Sequence, residues 1–326
     1  MQAIVEPETA GDPTSDQKWV RSSLRTLSQR LKEAGHTVSP PTVGRVLKTL
    51  DYALHVNAKK IEARAHHPDR PAQFAYIAQQ RQAFTEAGQP IISVDTKKKE
   101  LIGVFKNAGR AWSQEAEAVN VHDFRGDATG RAVPYGIYDL THNQGTVYVG
   151  SSGDTAQFAV DAIARWWQTQ GQDAFPQAEE LLILADGGGS NDCRSRLWKQ
   201  QIQEHLCNGL GLRVTVAHYP TGCSKWNPIE HRVFGPISLN WAGKPLRTVE
   251  TMLAYIRGTT TTTGLEVHAE RLDGVYPTGQ RLSDREMKAL QMRKHDVCPA
   301  WNYTISPCSG AAMNPAAMPS NREVIV

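Results

Sequence analysis

The sequence lacks the features that define several large classes of protein. No apolar run reaches the roughly 18 residues that a membrane-spanning helix needs, and the acidic start of the chain has no apolar signal core. The five cysteines form no C-x-x-C pair, which argues against a zinc site or a disulfide framework and favours reduced, structural thiols. Glycine and proline have ordinary abundance, which excludes collagen-like and low-complexity chains. We therefore expect a globular, cytoplasmic protein without a membrane partner.

An excess of charge of one sign is also nearly absent overall, but it is present locally. The 326 residues carry a formal net charge of +3, and a chain of this length suggests about two domains. Residues 16–64 hold ten basic and four acidic side chains, whereas the bases and acids of residues 65–326 balance. A small basic segment beside a larger neutral one is typical of a nucleic-acid reader attached to another domain. A solvated helix face would give the same charge, so this pattern alone leaves both interpretations open.

The basic segment contains two amphipathic helical patterns joined by a short connection. Apolar residues recur at steps of three and four in the first pattern, which predicts a helix over residues 19–31. Ser39 is suited to cap the second helix, whose polar face carries Thr42, Arg45 and Lys48. This arrangement predicts a small all-α helix-turn-helix domain whose second helix enters a major groove. Helical hairpins are also common in proteins that do not bind DNA, and that alternative stays open.

From residue 90 onward the chain alternates between β-prone runs and helical patterns. We predict strands at 91–94, 101–105, 133–140, 146–150, 181–185 and 212–217, and helices at 154–170, 191–206 and 228–241. Antiparallel strands followed by helix–strand repeats are the order of a ribonuclease H-like α/β fold, a mixed sheet flanked by helices. Asp95 ends the first strand, Asp186 follows the buried central strand, and Glu230 lies near the start of the last helix. The carboxyl ends of parallel strands share one sheet edge, so we expect the three acids to converge.

Each of these acids also has a purely structural explanation. Asp95 could simply end a strand, and Asp186 before three glycines is a good turn residue. With Asn227 as N-cap, Glu230 would stand at the third helical position and close a capping box. Three convergent carboxylates would instead form a hard, all-oxygen site for two Mg²⁺ or Mn²⁺ ions, suited to phosphodiester cleavage.

Several strings of residues carry a family resemblance. ISVDTKKKELIGVFKN, VHDF, PYGIYDL, LLILADGGGSN, SKWNPIEHRVF and WNYTISP stand in this order from Ile92 to Pro307, and the resemblance itself runs from about residue 16 to Pro307. The chain therefore resembles the DDE transposases of bacterial insertion sequences, namely the ISAzo-type family with the Rhodopirellula-type transposase DDE domain. The resemblance places the catalytic, metal-binding triad at Asp95, Asp186 and Glu230. It implies a DNA transposase that cuts element ends with a metal-activated water and joins the freed 3′-hydroxyl to target DNA.

Basic residues near the triad in sequence are candidate phosphate contacts, since neutralised backbone charge dominates DNA affinity. These are Lys97, Lys98, Lys99, Lys225, Arg232 and Lys244. Trp226 could stack on a base or pack against the sheet, and we favour packing slightly. His218 and His231 could orient a phosphate or a water, although a purely structural role is the simpler expectation.

The resemblance and the residue patterns together predict five segments and a set of partners. The segments are a disordered leader (1–15), the helix-turn-helix domain (16–56), a linker and helix (57–89, with the helix at 71–87), the catalytic domain (90–307) and a disordered tail (308–326). We expect DNA as the partner, a homo-oligomer on DNA, and a bacterial, nucleoid-associated protein. Two alternatives remain open, namely an inactive or truncated fragment that only binds DNA and a nuclease without strand transfer.

Overall fold

The computed structural model describes residues 9–11, 18–20, 22–50, 52, 67–111 and 113–309. The chain divides into two units, Met1–Ala63 and Arg64–Val326. Most of the predicted linker ahead of the helix at 71–87, and all of the predicted tail from residue 310 onward, fall outside the described residues. All five cysteines are free thiols. No helix within the described ranges is long and apolar enough to cross a membrane.

The first unit begins with a short β-ribbon that the sequence did not predict. Strands β1 (Thr9–Gly11) and β2 (Lys18–Val20) pair antiparallel, so the predicted disordered leader contains a strand. The prediction that the first helix starts near Trp19 is wrong, because helix α1 (Leu24–Glu33) starts after Ser23. The Ser23 side chain accepts a hydrogen bond from the Thr26 amide at 3.1 Å, which caps the helix there. An aromatic residue and a valine in β2 are common in strands, and their apolar spacing imitated a helix.

The two predicted helices of the first unit are present. Helix α2 (Pro40–Thr49) is capped by the Ser39 side chain, which accepts from the Thr42 amide at 3.4 Å. Gly35 ends α1 with a φ of +87°, a left-handed conformation that glycine adopts without strain. Leu27, Leu31 and Val43 are buried between the helices. The helical hairpin thus has its own small core, and its role in DNA binding stays a prediction.

The second unit is built on one mixed sheet. In the described residues its strands run in the order β10–β11–β8–β7–β3–β5–β6–β9, and β4 pairs with β5 beside this path. Their bounds are β3 (Ile91–Thr96), β4 (Glu100–Ile102), β5 (Gly130–Asp139), β6 (Gln144–Gly150), β7 (Glu180–Ala185), β8 (Arg213–His218), β9 (Glu266–Arg271), β10 (Met292–Lys294) and β11 (Asn302–Ile305). Strands β3, β7 and β8 are parallel, whereas β5 is antiparallel to both β3 and β6. This is the ribonuclease H-like sheet that the sequence predicted.

Helices cover both faces of this sheet. Helix α3 (Arg70–Glu86) packs in the second unit, where Tyr76, Ile77 and Phe84 share a core with Leu182 and Leu184 of β7. The other helices are α4 (Ala156–Trp166), α5 (Arg196–Gln201), α6 (Gly235–Asn240), α7 (Val249–Arg257) and α8 (Asp284–Ala289). Helix α4 continues through a π segment (Trp167–Gly171) into an α turn (Gln172–Ala174), and α5 continues into a π segment (Ile202–Asn208).

Several boundaries differ from the predictions. The predicted strand at 101–105 is the shorter β4, because the chain turns away at Gly103, whose φ is +147°. The helix predicted from residue 191 starts at α5, where Ser195 accepts a hydrogen bond from the Trp198 amide at 3.2 Å. A 3₁₀ turn (Gly189–Asn191) occupies the expected start of that helix.

Glycine lets one helical segment lie directly on the sheet. Residues 228–240 are helical, and they include a π segment (Glu230–Phe234) that leads into α6. A Cβ atom on Gly136 of β5 would lie 2.5 Å from a ring carbon of Phe234 and 2.7 Å from Cδ1 of Ile229. A Cβ atom on Gly145 of β6 would lie 3.0 Å from Val233. The absence of these two side chains allows the close contact between helix and sheet.

We expect Gly136→Ala to lower the free energy of unfolding by about 1–3 kcal/mol, because the added methyl group overpacks this contact. Gly130→Ala on the same strand is the matched control, since its Cβ would meet no atom within 4 Å. It should be neutral or slightly stabilising, because alanine restricts the unfolded chain. Urea unfolding of both variants measures the difference, and equal stabilities would contradict the packing argument.

Candidate active site

Two of the predicted acids lie side by side at the edge of the sheet. Strands β3 and β7 are parallel neighbours, and Val94 pairs with Ala185 in their register. Asp95 and Asp186 are the next residues along the two strands, so they emerge at adjacent positions. Asp95 is 8% exposed, and Asp186 is half-buried just beyond the end of β7. The continuous apolar run of β7 and the shorter run of β3 therefore place two carboxylates together.

A set of hydrogen bonds, which we call the Ser93–Asn227 lock, brings the third acid to the same edge. The Ser93 hydroxyl donates to Oδ1 of Asn227 at 2.5 Å, and Nδ2 of Asn227 donates to the Val94 carbonyl at 3.1 Å. The Ile229 amide donates to the Ser93 hydroxyl at 3.1 Å. These bonds fix the start of the Glu230 helix to the strand that carries Asp95. The predicted capping role of Asn227 is wrong in detail, because Ser93 caps the helix while the Asn227 side chain binds β3.

The helix widens at Glu230. Residue 236 is proline, which has no amide hydrogen and cannot donate to the carbonyl four residues earlier. One residue earlier, the Gly235 amide donates to the carbonyl of Glu230, five residues back rather than the usual four, and this bond defines the π segment. Such widened turns frequently occur at functional sites.

The three carboxyl groups interact strongly with one another. Burial raises the pKa of Asp95 well above its usual range, and the charges of Asp186 and Glu230 raise it further. Burial likewise raises the pKa of Asp186, although the Gly188 amide, which donates to Oδ1 at 3.4 Å, opposes this shift. The metal-free site therefore favours retention of a proton on this group of acids.

The donor chemistry of the three acids fits a hard divalent cation. Carboxylate oxygens are the ligands that Mg²⁺ and Mn²⁺ prefer, and no salt bridge to these three acids occurs in the part of the chain that is described. A bound cation would relieve the repulsion from neighbouring carboxylates that contributes to the raised pKa values of Asp95 and Asp186. In the described ranges, however, no three His, Cys, Asp or Glu side chains form a ready-made metal site. The acids are thus neighbours with suitable chemistry, and ion binding would have to draw their oxygens together.

The lysines after Asp95 have different environments. Lys97 is only 10% exposed, and its ammonium group lies 4.7 Å from the centre of the Trp241 ring and 3.8 Å from Oε1 of Glu100. Burial lowers its pKa. Lys98 is exposed, whereas Lys99 forms an ion pair with Asp154 at 2.9 Å. The environment of Lys97 is therefore that of a packed residue rather than a solvent-facing phosphate contact.

The other DNA contacts predicted near the acids are mostly exposed side chains, namely Lys225, Trp226, Arg232 and Lys244. Lys244 pairs with Glu117 at 2.7 Å, an acid that it shares with Arg247 at 3.2 Å. Lys225 and Arg232 are exposed. Trp226 is 54% exposed, and its ring contacts Phe74 of α3 edge-on at 6.0 Å instead of packing on the sheet. His231 is exposed and hydrogen-bonds the Lys225 carbonyl through Nε2.

His218 holds the backbone of Asp186 through a chain of buried hydrogen bonds. Its Nδ1 lies 2.9 Å from the Asp186 carbonyl oxygen, and its Nε2 lies 3.2 Å from the Tyr303 hydroxyl. Trp198 donates its indole hydrogen to the same hydroxyl at 2.9 Å. Burial lowers the pKa of His218 to about 4, so the ring is neutral at pH 7. A carbonyl oxygen can only accept, which puts the imidazole hydrogen on Nδ1 and makes Nε2 the acceptor from Tyr303. His218 therefore orients Asp186 and does not face a ligand.

Comparison with known proteins identifies the family. A family model described as the Rhodopirellula transposase DDE domain matches residues 1–307. The chain belongs to this family. No curated protein sequence matches the chain.

Solved structures of Mos1 transposase match the chain at low similarity. The Mos1 transposase paired-end complex with left transposon end has a TM-score of 0.43 and 10% identity, over 78% of this chain and 68% of that one. The pre-cleavage Mos1 transpososome has a TM-score of 0.44 and 10% identity over the same shares. The Mos1 mariner paired end complex with Mn has a TM-score of 0.43 and 11% identity, over 72% of this chain and 65% of that one. The fold assignment rests on the strand order, not on these scores.

The raised pKa of Asp95 predicts how the stability of this DDE domain depends on pH. The folded state binds a proton that the unfolded state releases near pH 4, so stability falls as pH rises above that value. One such proton gives a slope of at most about 1.4 kcal/mol per pH unit. We expect Asp95→Asn to reduce this fall and to stabilise the metal-free protein more at pH 8 than at pH 5.

Thermal unfolding in a chelator at both pH values measures this effect. The exposed Asp173 provides the matched control, Asp173→Asn, which should leave the pH dependence unchanged. An equal pH dependence in Asp95→Asn and the unmodified protein would show that Asp95 ionises normally.

Proposed function

We propose that this protein is a DNA transposase that cleaves DNA at the ends of an insertion sequence and transfers the resulting 3′-hydroxyl to target DNA. The proposed catalytic groups are Asp95, Asp186 and Glu230, with Mg²⁺ or Mn²⁺ as the cofactor and two ions per site. The observation that supports this most strongly is the convergence of three acids from two adjacent strands and a helix locked to one of them. The family assignment supports the same chemistry.

Some residues of the site would bind the cations, and others would hold the binding residues in position. Asp95, Asp186 and Glu230 would hold the cation pair. When bound, the ions lower the pKa of an attacking water or hydroxyl and neutralise charge on the phosphodiester. His218 would keep the Asp186 backbone in place, and the Ser93–Asn227 lock would keep Glu230 beside Asp95. Since the acids retain a proton in the metal-free site, cation binding would compete with protons.

We expect Asp95→Asn, Asp186→Asn and Glu230→Gln each to reduce cleavage of DNA carrying the element ends by about 100-fold or more. Loss of even an indirect partner of a metal site commonly costs 10–100-fold, and these acids would be the ligands themselves. The assay measures nicking of end-labelled DNA in Mg²⁺ or Mn²⁺. Asp173→Asn and Glu266→Gln remove exposed acids away from the site and serve as controls. Undiminished cleavage in all three triad variants would refute the assignment.

The same labelled DNA separates a transposase from a simple nuclease. A transposase should join the labelled 3′ end covalently to a plasmid, whereas a nuclease should only release it. Pairing of two element ends would also require more than one copy of the protein, acting on the DNA of the bacterial nucleoid. A cleaved end that never becomes joined, under conditions in which cleavage is complete, would favour the nuclease.

We further propose that the helical hairpin binds DNA through α2. Arg45 and Lys48 are exposed on this helix, opposite the buried Val43. The Arg45 guanidinium donates to the Thr42 hydroxyl at 3.2 Å, which in turn contacts Ser39 at 2.9 Å. This small network would hold the polar face of α2 in a fixed conformation for entry into a major groove.

Simultaneous Arg45→Ala and Lys48→Ala substitutions should weaken duplex binding and reduce the salt slope of the affinity by up to about 2, because each phosphate contact contributes about 0.9. The matched control is Arg285→Ala with Lys288→Ala on α8, which removes the same charge from an exposed helix of the other unit. Measuring the affinity for duplex DNA between 50 and 200 mM salt gives the slope for each variant. Equal slopes in the variant and its control would contradict a DNA-binding role for α2.

A further inference from the structure

A cationic cavity of about 290 Å³ opens beside the strand that carries Asp95. Its lining combines apolar side chains with cationic ones. The lining residues on the chain from the end of β3 to the start of β5 include Lys98, Lys99, Glu100, Leu101, Phe105, Lys106, Asp123, Arg125 and, within β5, Arg131. Leu246, which precedes α7, closes one side. Neither the family match nor the predicted DNA contacts assign Lys106, Arg125 or Arg131 to a site.

The cavity has a defined wall because the loop between β4 and β5 folds back on the unit. The Gly103 amide donates to the Leu246 carbonyl at 2.8 Å, and the Asn120 amide donates to the Val104 carbonyl at 2.8 Å. Glu117, further along the loop, pairs with Lys244 at 2.7 Å and with Arg247 at 3.2 Å. These contacts tie the loop to the segment that leads into α7.

The cavity carries an excess of positive charge without internal partners. Lys98, Lys106, Arg125 and Arg131 form no ion pair or hydrogen bond through their side chains within the described ranges. Lys99 is paired with Asp154, and the acids of the lining are Glu100 and Asp123. Five bases therefore face two acids, and the complementary ligand is an anion with more than one charge.

An exposed aromatic ring distinguishes a nucleic acid from a simple anion. Phe124 is 62% exposed, and in the sequence it lies between two lining residues, Asp123 and Arg125. Its only ring contact among the described residues is with His122, at 5.3 Å. Aromatic rings beside cationic grooves are stacking surfaces for unpaired bases, whereas a free phosphate ion has no use for them.

The cavity is also close to the triad. Lys98 is three residues beyond Asp95, so their Cα atoms are at most about 11 Å apart.

We propose that this cavity and Phe124 bind unpaired nucleotides of a DNA strand next to the cleaved phosphodiester. The phosphates lie against Lys106, Arg125 and Arg131, and a base stacks on Phe124. The position of this strand relative to the cut rests on the proposed function. Binding of the strand itself does not require cleavage.

The test is binding of a labelled single-stranded oligonucleotide by the full chain in a chelator, where the proposed chemistry is absent. Arg125→Ala with Arg131→Ala should lower the salt slope by about 1.4, since each contact with a single strand contributes about 0.7. Phe124→Ala should weaken binding roughly 5- to 100-fold, the range for loss of one stacked base, whereas Phe124→Tyr should retain it. The effect of Phe124→Ala on a duplex of the same sequence should be smaller. Inorganic phosphate at an equal phosphate concentration should not displace the oligonucleotide.

Three controls make a negative result decisive. Arg125→Lys with Arg131→Lys keeps the charge and should restore the slope. The Arg285→Ala and Lys288→Ala pair should leave single-strand binding unchanged. Thermal unfolding of each variant shows whether the unit remains folded. Unchanged single-strand binding in either folded alanine variant would overturn the inference, as would displacement by inorganic phosphate.

The result is separable from that of the triad. Unchanged binding in the cavity variants, together with lost cleavage in the triad variants, would refute the cavity and leave the proposed function intact. Weakened binding in the cavity variants, together with full cleavage in the triad variants, would support the cavity and refute the proposed catalytic residues.

Discussion

The side chains of Ser93 and Asn227 connect the helix of Glu230 to the strand of Asp95, and the geometry of the whole site depends on that connection. Strand alternation puts Ser93 on the same face of β3 as Asp95, two residues earlier, so the lock and the acid share one side of the sheet. The bare backbone at Gly136 lets the same helix approach closely enough for the lock to form. Because all these groups are buried, a lost partner would leave an unsatisfied polar atom as well as a displaced carboxylate.

Neutral groups hold the backbone around the three acids in place. Asp186 is held by a neutral imidazole whose orientation follows from Tyr303 and Trp198. A protonated His218 would have stabilised the carboxylates but would have weakened their demand for a cation. Lys97, two residues after Asp95, lies over Trp241 and beside Glu100. Much of the negative charge at the triad is therefore left for a proton or an external cation to balance.

The parts of the site that the sequence predicted are those with strong local signals. The apolar run before Asp186 and the β-prone run before Asp95 fix two acids, because parallel strands end at one sheet edge. The Ser93–Asn227 lock was not predictable, since its partners are 134 residues apart and Asn227 also fits an ordinary cap. The start of α1 was missed because Trp19 and Val20 continue the apolar spacing of the helix towards the N-terminus. The helix begins only at Leu24, after the Ser23 cap. Strand β9 pairs with β6, which lies far away in the sequence, and β10 and β11 contain only three and four residues, so local patterns did not reveal them.

The distribution of charge explains how a nearly neutral domain could act on DNA as proposed. The triad carboxylates and the DNA phosphates repel each other, so a phosphodiester can approach Asp95 only when positive charge is supplied nearby. Screening limits the reach of exposed charges to about 8–10 Å at physiological salt, so distant lysines cannot supply it. Lys98, Lys106, Arg125 and Arg131 gather on the chain segment that leaves Asp95 and that lines a single cavity. The net charge of such a domain is therefore a poor guide to its attraction for DNA at the site, because that attraction depends on the few unpaired cations beside the acids.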